Sequence, residues 1–278
     1  MSPPEINNFI LNGFDRCGSS AISRTIATHP DIEIIMQPFN SGSIRSKLYQ
    51  VINDGNATEQ DFAFFRQLEQ GVLDRTYIKS TWFEKYSSTL TFLEGKLHLI
   101  KTTQNHFTIA WIKQNFPLIE NWGIWRHPYD TLASLVRNDF HTRWYAGAAA
   151  ELAKTVLEEE LLRSRYAKFL NCLESSVQEM AYILSVRTWF YFHHVDPEKV
   201  ISYDAFVIDA NQALQPLLGY FQLKPFRFVD SADSDLNIVG KQYVRESSHV
   251  ECIPESDRET CEQLFVPLYE LAETRGFS

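Results

Sequence analysis

This sequence lacks paired cysteines, an excess of basic residues and long apolar runs. Its four cysteines stand apart without a CxxC pair, so they indicate neither a zinc site nor a disulfide framework, and they fit a reducing compartment. The formal net charge of −9 opposes general binding to nucleic acid or anionic membranes. No apolar run reaches the roughly 20 residues of a membrane span, and the first residues show no targeting signal. We therefore expect a cytoplasmic protein without a metal.

Linkers, internal repeats and low-complexity tracts are also missing. Glycine and proline, 11 of each, are scattered along the chain and do not mark a boundary. The hydrophobic share of 44% is enough for a sizeable core. We therefore expect a single domain over residues 1–278, with a less regular segment at 223–278.

Short apolar runs alternate with stretches of helical spacing, which is typical of a parallel sheet. The predicted strands are 8–12, 32–36, 97–101, 122–125 and 200–203. The predicted helices are 19–28, 107–115, 129–138, 148–169, 175–194, 212–221 and 256–274, and 43–70 is expected to be helical in pieces. The fold class is thus α/β, a P-loop-like parallel sheet flanked by helices, with ligands expected at the carboxyl ends of the strands.

A glycine-bounded loop follows the first predicted strand. Residues 13–20 read GFDRCGSS, the spacing of a phosphate loop, but Ser19 stands where the Walker lysine would be. A turn from a strand into a helix aims N–H groups at an anion. An NTPase also needs that lysine and a carboxylate for Mg²⁺, yet Trp125 is followed by Arg126. The loop therefore predicts an anion site, in which Arg16 either neutralises a leaving group or is simply exposed.

A second motif begins at Arg126. Ser134 follows it eight residues later, across Pro128 and the predicted start of a helix. A guanidinium grips phosphate through two hydrogen bonds and a hydroxyl adds a neutral donor. The pair indicates a second phosphate site beside the loop; the alternative is a helix-capping arginine and a core serine.

These segments, in this order, resemble the sulfotransferases that use 3'-phosphoadenosine-5'-phosphosulfate (PAPS). The resemblance rests on the loop 13–20, the pair Lys101-Thr102, the Arg-x-Pro segment with its serine, and VISYD at 200–204, and it spans about residues 7 to 222. It implies a sulfotransferase-type three-layer fold. It also implies transfer of a sulfonate group from PAPS to a hydroxyl or nitrogen of a small molecule, with 3'-phosphoadenosine-5'-phosphate (PAP) as product.

The resemblance also implies roles for particular residues. The residues that would bind the 5'-phosphosulfate are Arg16, Cys17, Gly18, Ser19 and Ser20. Arg126 and Ser134 would bind the 3'-phosphate, and Tyr203 would lie near the adenine. Lys241 and Arg245 are candidates for a late basic segment over the 3'-phosphate, or else are solvated.

Both of the family's usual bases are missing. The Lys-Thr-His run of cytosolic members is here Lys101-Thr102-Thr103, and the glutamate that other members place before a proline is Gln37. His106 is the first substitute, because an imidazole suits proton transfer; the alternative is an ordinary histidine at a helix start. Lys101 is expected to stabilise the transferring sulfonate, and Gln37 and Thr103 to contact the acceptor.

The acceptor is inferred from charge and aromatic content. A net-acidic protein that concentrates its cations at PAPS favours a neutral or cationic acceptor, and a specialised metabolite such as a guanidinium alkaloid of the saxitoxin type fits this. The aromatic residues around 77–86 and 140–145 either line its pocket or belong to the core. Two other readings stay open: a P-loop kinase for a small molecule, and a PAPS-binding module without activity.

Overall fold

Five parallel strands form the centre of the protein. The computed structural model describes residues 8–40, 47–70, 96–228 and 251–277. The strands are β1 (Asn8–Asn12), β2 (Ile32–Met36), β3 (Leu97–Thr102), β4 (Ile119–Trp125) and β5 (Val200–Ser202), in the order β2-β3-β1-β4-β5. Every neighbouring pair is parallel. The predicted α/β class with a parallel sheet is confirmed.

Helices connect and cover these strands. They are α1 (Ser19–Ile26), α2 (Glu59–Glu69), α3 (Ile109–Asn115), α4 (Pro128–Arg137), α5 (Phe140–Arg143), α6 (Ala148–Glu158), α7 (Glu160–Tyr166), α8 (Ser176–His194), α9 (Tyr203–Ile208), α10 (Ala210–Tyr220) and α11 (Glu255–Arg275). Short 3-10 turns lie at Pro38–Asn40, Ala167–Phe169 and Pro197–Lys199. None of the described helices is long and apolar enough to cross a membrane.

Alternate residues of β1 face opposite sides of the sheet, as the period of a strand requires. Phe9 and Leu11 pack with α1 and α10, whereas Ile10 packs with aromatic residues of α2 and α3. Because both faces are covered, each strand reads as a nearly continuous apolar run. Because the strands are also parallel, the segments that follow them lie at one edge of the sheet.

Helix α8 is buried along most of its length. Ser175 begins it by accepting a hydrogen bond from the N–H of Gln178, and the helix packs against α6 and α11. A helix that is apolar on every side is a core helix. One charged residue nevertheless lies in its buried part: Arg187 is 1% exposed. This buried cation reaches the sheet edge described below.

Two predicted elements need correction. The single helix predicted at 148–169 is instead α6, α7 and a 3-10 turn, because Glu159 has an extended backbone (φ −87°, ψ 114°) that ends one helix and begins the next. The break lets Leu162 and Tyr166 of α7 enter the core. The strand predicted at 200–203 ends at Ser202, whose side chain caps α9 by accepting from the N–H of Ala205, so Tyr203 is helical.

Candidate functional site

The carboxyl edge of the sheet gathers the predicted site residues. Asn12, the last residue of β1, lies beside Thr102 of β3 and Gly123 of β4. The N–H of Gly13 then donates to the carbonyl of Thr102 at 3.3 Å. The segments that follow β1, β3, β4 and β5 therefore meet at one edge, where parallel-sheet proteins commonly bind ligands.

The loop from Gly13 to Gly18 is closed too tightly for side chains at its two ends. A Cβ at Gly13 would lie 2.4 Å from Sγ of Cys17, and one at Gly18 would lie 2.1 Å from ring carbons of Tyr203. Gly18 also has a φ of 92° and precedes the first residue of α1. The N–H groups of Gly18 and Ser20 have no backbone acceptor among the described residues, so they remain available to a ligand.

Arg126 and Ser134 converge on Arg16 in this loop. Nη1 of Arg126 donates to the carbonyl of Arg16 at 2.7 Å, and Nε of Arg16 donates to Oγ of Ser134 at 3.3 Å. The guanidinium of Arg126 also lies 4.9 Å from the ring centroid of Tyr203. These four predicted residues, from three separate segments, therefore form one cluster with Gly18.

The backbone of Arg16 has an unusual conformation in this arrangement. Its φ of 67° is in the left-handed region, where a side chain costs about 1–2 kcal/mol. That conformation accompanies the hydrogen bond that its carbonyl accepts from Arg126. Burial lowers the pKa of Arg126, but a guanidinium remains charged at neutral pH. The cluster thus holds one exposed and one buried cation beside the helix start.

The other loop residues differ in accessibility. Cys17 is buried and its N–H donates to the carbonyl of Phe14 at 3.2 Å, so it closes the loop from inside. Burial raises the pKa of the Cys17 thiol to about 11, and the thiol is therefore protonated at neutral pH. Ser19 is also buried, whereas Ser20 is exposed beside it.

Lys101 lies on β3 with only 4% of its surface exposed. Among the described residues, its amino group has no hydrogen bond or ion pair, although the charge of Asp15 acts on it. Burial lowers its pKa and Asp15 opposes that shift. A buried amine with no hydrogen-bond partner among the described residues is a ready donor to an anion.

Gln37 and Thr103, the predicted acceptor contacts, bind each other. Nε2 of Gln37 donates to Oγ1 of Thr103 at 3.4 Å, and the N–H of Thr103 donates to Oε1 of Gln37 at 3.3 Å. Gln37 has a φ of 53°, and its own N–H donates to the carbonyl of Lys101 at 2.7 Å. The pair therefore joins the end of β2 to the end of β3.

His106 is 1% exposed, beneath the loop. Its Nδ1 lies 3.0 Å from Nη2 of Arg187, and the same nitrogen of Arg187 donates to the carbonyl of Thr103 at 2.7 Å. Because arginine only donates, Nδ1 accepts, and the neutral ring carries its proton on Nε2. Burial first, and then the charge of Arg187, hold the pKa of His106 well below 6.5.

Sequence reasoning missed both Arg187 and Asp15. The only sequence signal for Arg187 was a lone arginine in an apolar and aromatic stretch. Asp15 stands inside an anion loop, where a carboxylate is unexpected, and it accepts a hydrogen bond from the hydroxyl of Tyr145. Phe14 lies between Arg187 and the Asp15–Tyr145 pair. The centroid of its ring is 5.0 Å from the guanidinium carbon of Arg187, and the ring stacks on Tyr145 with 5.7 Å between the centroids.

Some predictions fall outside the described residues. Lys241, Arg245 and the aromatic residues of 77–86 are among them. Of the segment 140–145, Phe140 lies 5.9 Å from the guanidinium carbon of Arg16, and Tyr145 is buried against the loop. The described residues contain no cluster of three or more metal-binding side chains.

A depression also lies at the amino edge of β4. It is lined in part by Lys113, Glu120, Asp196 and Lys199, whose charges pair with one another. None of its lining residues belongs to the loop or to the cluster around it. The predicted site residues therefore lie at the opposite, carboxyl edge of the sheet.

No family model and no curated protein matches this chain. Among solved structures, it is similar to a sulfotransferase from Alicyclobacillus acidocaldarius, with 15% identity and a TM-score of 0.45 over 97% of each chain. It is also similar to the sulfotransferase domain of the Synechococcus PCC 7002 olefin synthase, with 11% identity and a TM-score of 0.45 over 100% of this chain and 98% of that one. Likenesses this distant assign no function, and any assignment rests on the site itself.

Proposed function

We propose that this protein is a sulfotransferase that moves a sulfonate group from PAPS to a small-molecule acceptor. The observation that carries the proposal is the convergence of Arg126 and Ser134 on Arg16, within a loop that has a serine at the Walker-lysine position. A loop that ends at a helix start suits one phosphate, and an adjacent arginine and serine suit another. A ligand with two separate phosphate groups matches this layout.

The donor set fits PAPS. The 5'-phosphosulfate would lie against the N–H groups of Gly18 and Ser20 and the side chains of Ser19 and Ser20, and the 3'-phosphate against Arg126 and Ser134. Tyr203, already under the guanidinium of Arg126, would lie near the adenine. When bound, PAPS supplies an activated sulfonate on a phosphate leaving group. These cations gather at one edge of a protein whose net charge is −9, as a polyanionic ligand requires.

Two cations would act on the reacting group. Lys101 is buried and has no partner among the described residues, so it is suited to bind the oxygens of the transferring sulfonate. Arg16 is exposed at the loop and is suited to neutralise the phosphate oxygen from which the sulfonate departs. Gln37 and Thr103 would contact the acceptor from the ends of β2 and β3.

The acceptor is proposed to be neutral or cationic. A carboxylate, Asp15, stands in the loop, and the whole chain is acidic, so a further anion would be repelled. A hydroxyl- or nitrogen-bearing specialised metabolite fits this, and a guanidinium alkaloid of the saxitoxin type is one candidate.

The kinase alternative requires two groups at positions where this chain has others. Ser19 replaces the lysine that contacts the β- and γ-phosphates, and Arg126 follows β4 where a carboxylate would hold Mg²⁺. The alternative of an inactive PAPS-binding module rests on Gln37, whose amide is engaged with Thr103. Binding and turnover experiments separate the three.

The first experiment measures thermal stabilisation by PAP, ADP and Mg²⁺-ATP. At about 100 times its dissociation constant, a specific ligand adds about 2.7 kcal/mol of stability. We expect PAP to stabilise the protein most. Ser134→Ala and Arg126→Gln should each weaken PAP binding about tenfold or more, since a hydrogen bond to a charged group contributes about 1.5–3 kcal/mol.

Ser164→Ala is the matched control, because Ser164 is an exposed helix serine whose hydroxyl, among the described residues, bonds only the carbonyl of Leu161 and the side chain of Arg165. It should leave PAP binding unchanged. Equal or stronger stabilisation by Mg²⁺-ATP would favour the kinase. If PAP binds but PAPS is not consumed with phenols, alcohols or amines, the protein is a binding module.

A further inference from the structure

A sulfonate transfer to a hydroxyl or an amine needs a group that takes the acceptor's proton. Position 37 is glutamine and position 103 is threonine, and neither side chain is a base. The basic nitrogen of His106, Nδ1, is occupied by Arg187, so its other nitrogen carries a proton and can only donate. None of these three side chains can therefore take the acceptor's proton.

Asp15 is a carboxylate within the loop itself. It lies between Gly13 and Gly18, next to Arg16, and its side chain is partly exposed. The buried hydroxyl of Tyr145 donates to one carboxylate oxygen, Oδ2. A hydrogen bond to one oxygen orients the group and leaves the lone pairs of the other oxygen for an acceptor.

Charged groups from two other elements act on Asp15 or on its partner Tyr145. Lys101 on β3 and Arg187 on α8 place positive charge near the Asp15–Tyr145 pair, and Tyr49 is a further titratable neighbour. Lys101 is also the residue suited to bind the transferring sulfonate. The charge of Asp15 acts on that lysine, and both residues lie at the carboxyl edge of the sheet, so a base at Asp15 would share the edge at which the acceptor's nucleophile must approach.

We propose that Asp15 is the general base of this site and that Tyr145 is its positioning residue. This inference rests on the proposed function. The acceptor's proton moves to a carboxylate oxygen of Asp15 as the acceptor's oxygen or nitrogen forms a bond to sulfur. The bond from sulfur to the phosphate oxygen breaks, and its electron pair stays on the phosphate of the departing PAP. Protonated Asp15 then returns the proton to water.

The test compares Asp15→Asn with wild type in two measurements. Conversion of PAPS to PAP should fall about 100-fold or more, whether water or an added phenol, alcohol or amine is the acceptor. The affinity for PAP should rise about threefold to tenfold, because the variant removes a negative charge beside an anion. A merely structural role would weaken both together.

Two further variants sharpen the test. Asp15→Ala should be equally slow, and added formate should restore part of its rate, because formate supplies the missing carboxylate. Tyr145→Phe should lower the rate about tenfold and leave PAP affinity within a factor of two. Asp31→Asn is the matched control: it removes the same charge just before β2, at the opposite edge of the sheet, and should change neither measurement.

The outcomes separate the inference from the proposed function. Slow turnover with tighter PAP binding and rescue by formate supports Asp15 as the base. Wild-type turnover in Asp15→Asn, loss of PAP binding in that variant, or no PAPS consumption by a wild type that binds PAP each overturn it. If wild type does not bind PAP at all, the proposed function fails as well, and the thermal-stabilisation experiment shows this independently.

Discussion

Replacement of Gly18 by alanine measures how tightly the loop is closed. At a φ of 92°, an alanine costs about 1–2 kcal/mol relative to glycine. Its methyl group would also lie 2.1 Å from two ring carbons of Tyr203, which is 6% exposed and lies under the guanidinium of Arg126. Since the ring has little room to move, overpacking adds about 1–3 kcal/mol. We expect the free energy of unfolding to fall by about 2–5 kcal/mol.

Gly147→Ala provides the matched control. Gly147 has a φ of 77° and also precedes a helix, but no described atom lies within 4 Å of an added Cβ. This variant should lose only the backbone contribution, about 1–2 kcal/mol. Urea unfolding followed by tryptophan fluorescence measures the losses of both variants.

The difference between the two glycine variants isolates the contact with Tyr203, and Gly18→Ala combined with Tyr203→Ala should cost less than the sum of the single changes. Equal losses at Gly18 and Gly147, or strict additivity in the double variant, would refute the close packing of the loop on Tyr203. PAP stabilisation should also disappear in Gly18→Ala and persist in Gly147→Ala.

Two further predictions concern buried titratable groups. Burial lowers the pKa of Lys101, so its charge destabilises the fold at neutral pH. Lys101→Met should therefore raise the free energy of unfolding by about 1 kcal/mol and slow PAPS turnover about 100-fold. A variant that is both less stable and fully active would contradict this. His106 has a folded pKa well below 6.5, so the stability it contributes is fully present above pH 6.5 and is lost as the pH falls towards the folded value. Below pH 6.5, the free energy of unfolding of wild type should therefore fall by up to about 1.4 kcal/mol more per pH unit than that of His106→Asn, a variant that keeps an acceptor for Arg187. Urea unfolding measured from pH 7 to 5 checks this.

Much of the secondary structure was predictable because its signals are local. The bounds of β1 and β2 match their predictions, since each is an apolar run ended by a glycine or by a proline two residues on. The break at Glu159 was not predictable, because neither glycine nor proline marks it and the residues on both sides favour a helix. The break instead accompanies the packing of Leu162 and Tyr166 in the core.

The sequence by itself determined the loop, its missing lysine, and the arginine and serine of the second motif, because glycine spacing and residue type are read along the chain. Only the tertiary structure decided which distant groups share the site. Asp15 and Tyr145 are 130 residues apart, and His106 and Arg187 are 81 apart. Local sequence carries no record of such pairs, since a hydrogen bond between distant side chains depends on how the helices pack over the sheet edge. The proton on His106 and the orientation of Asp15 are therefore properties of the fold.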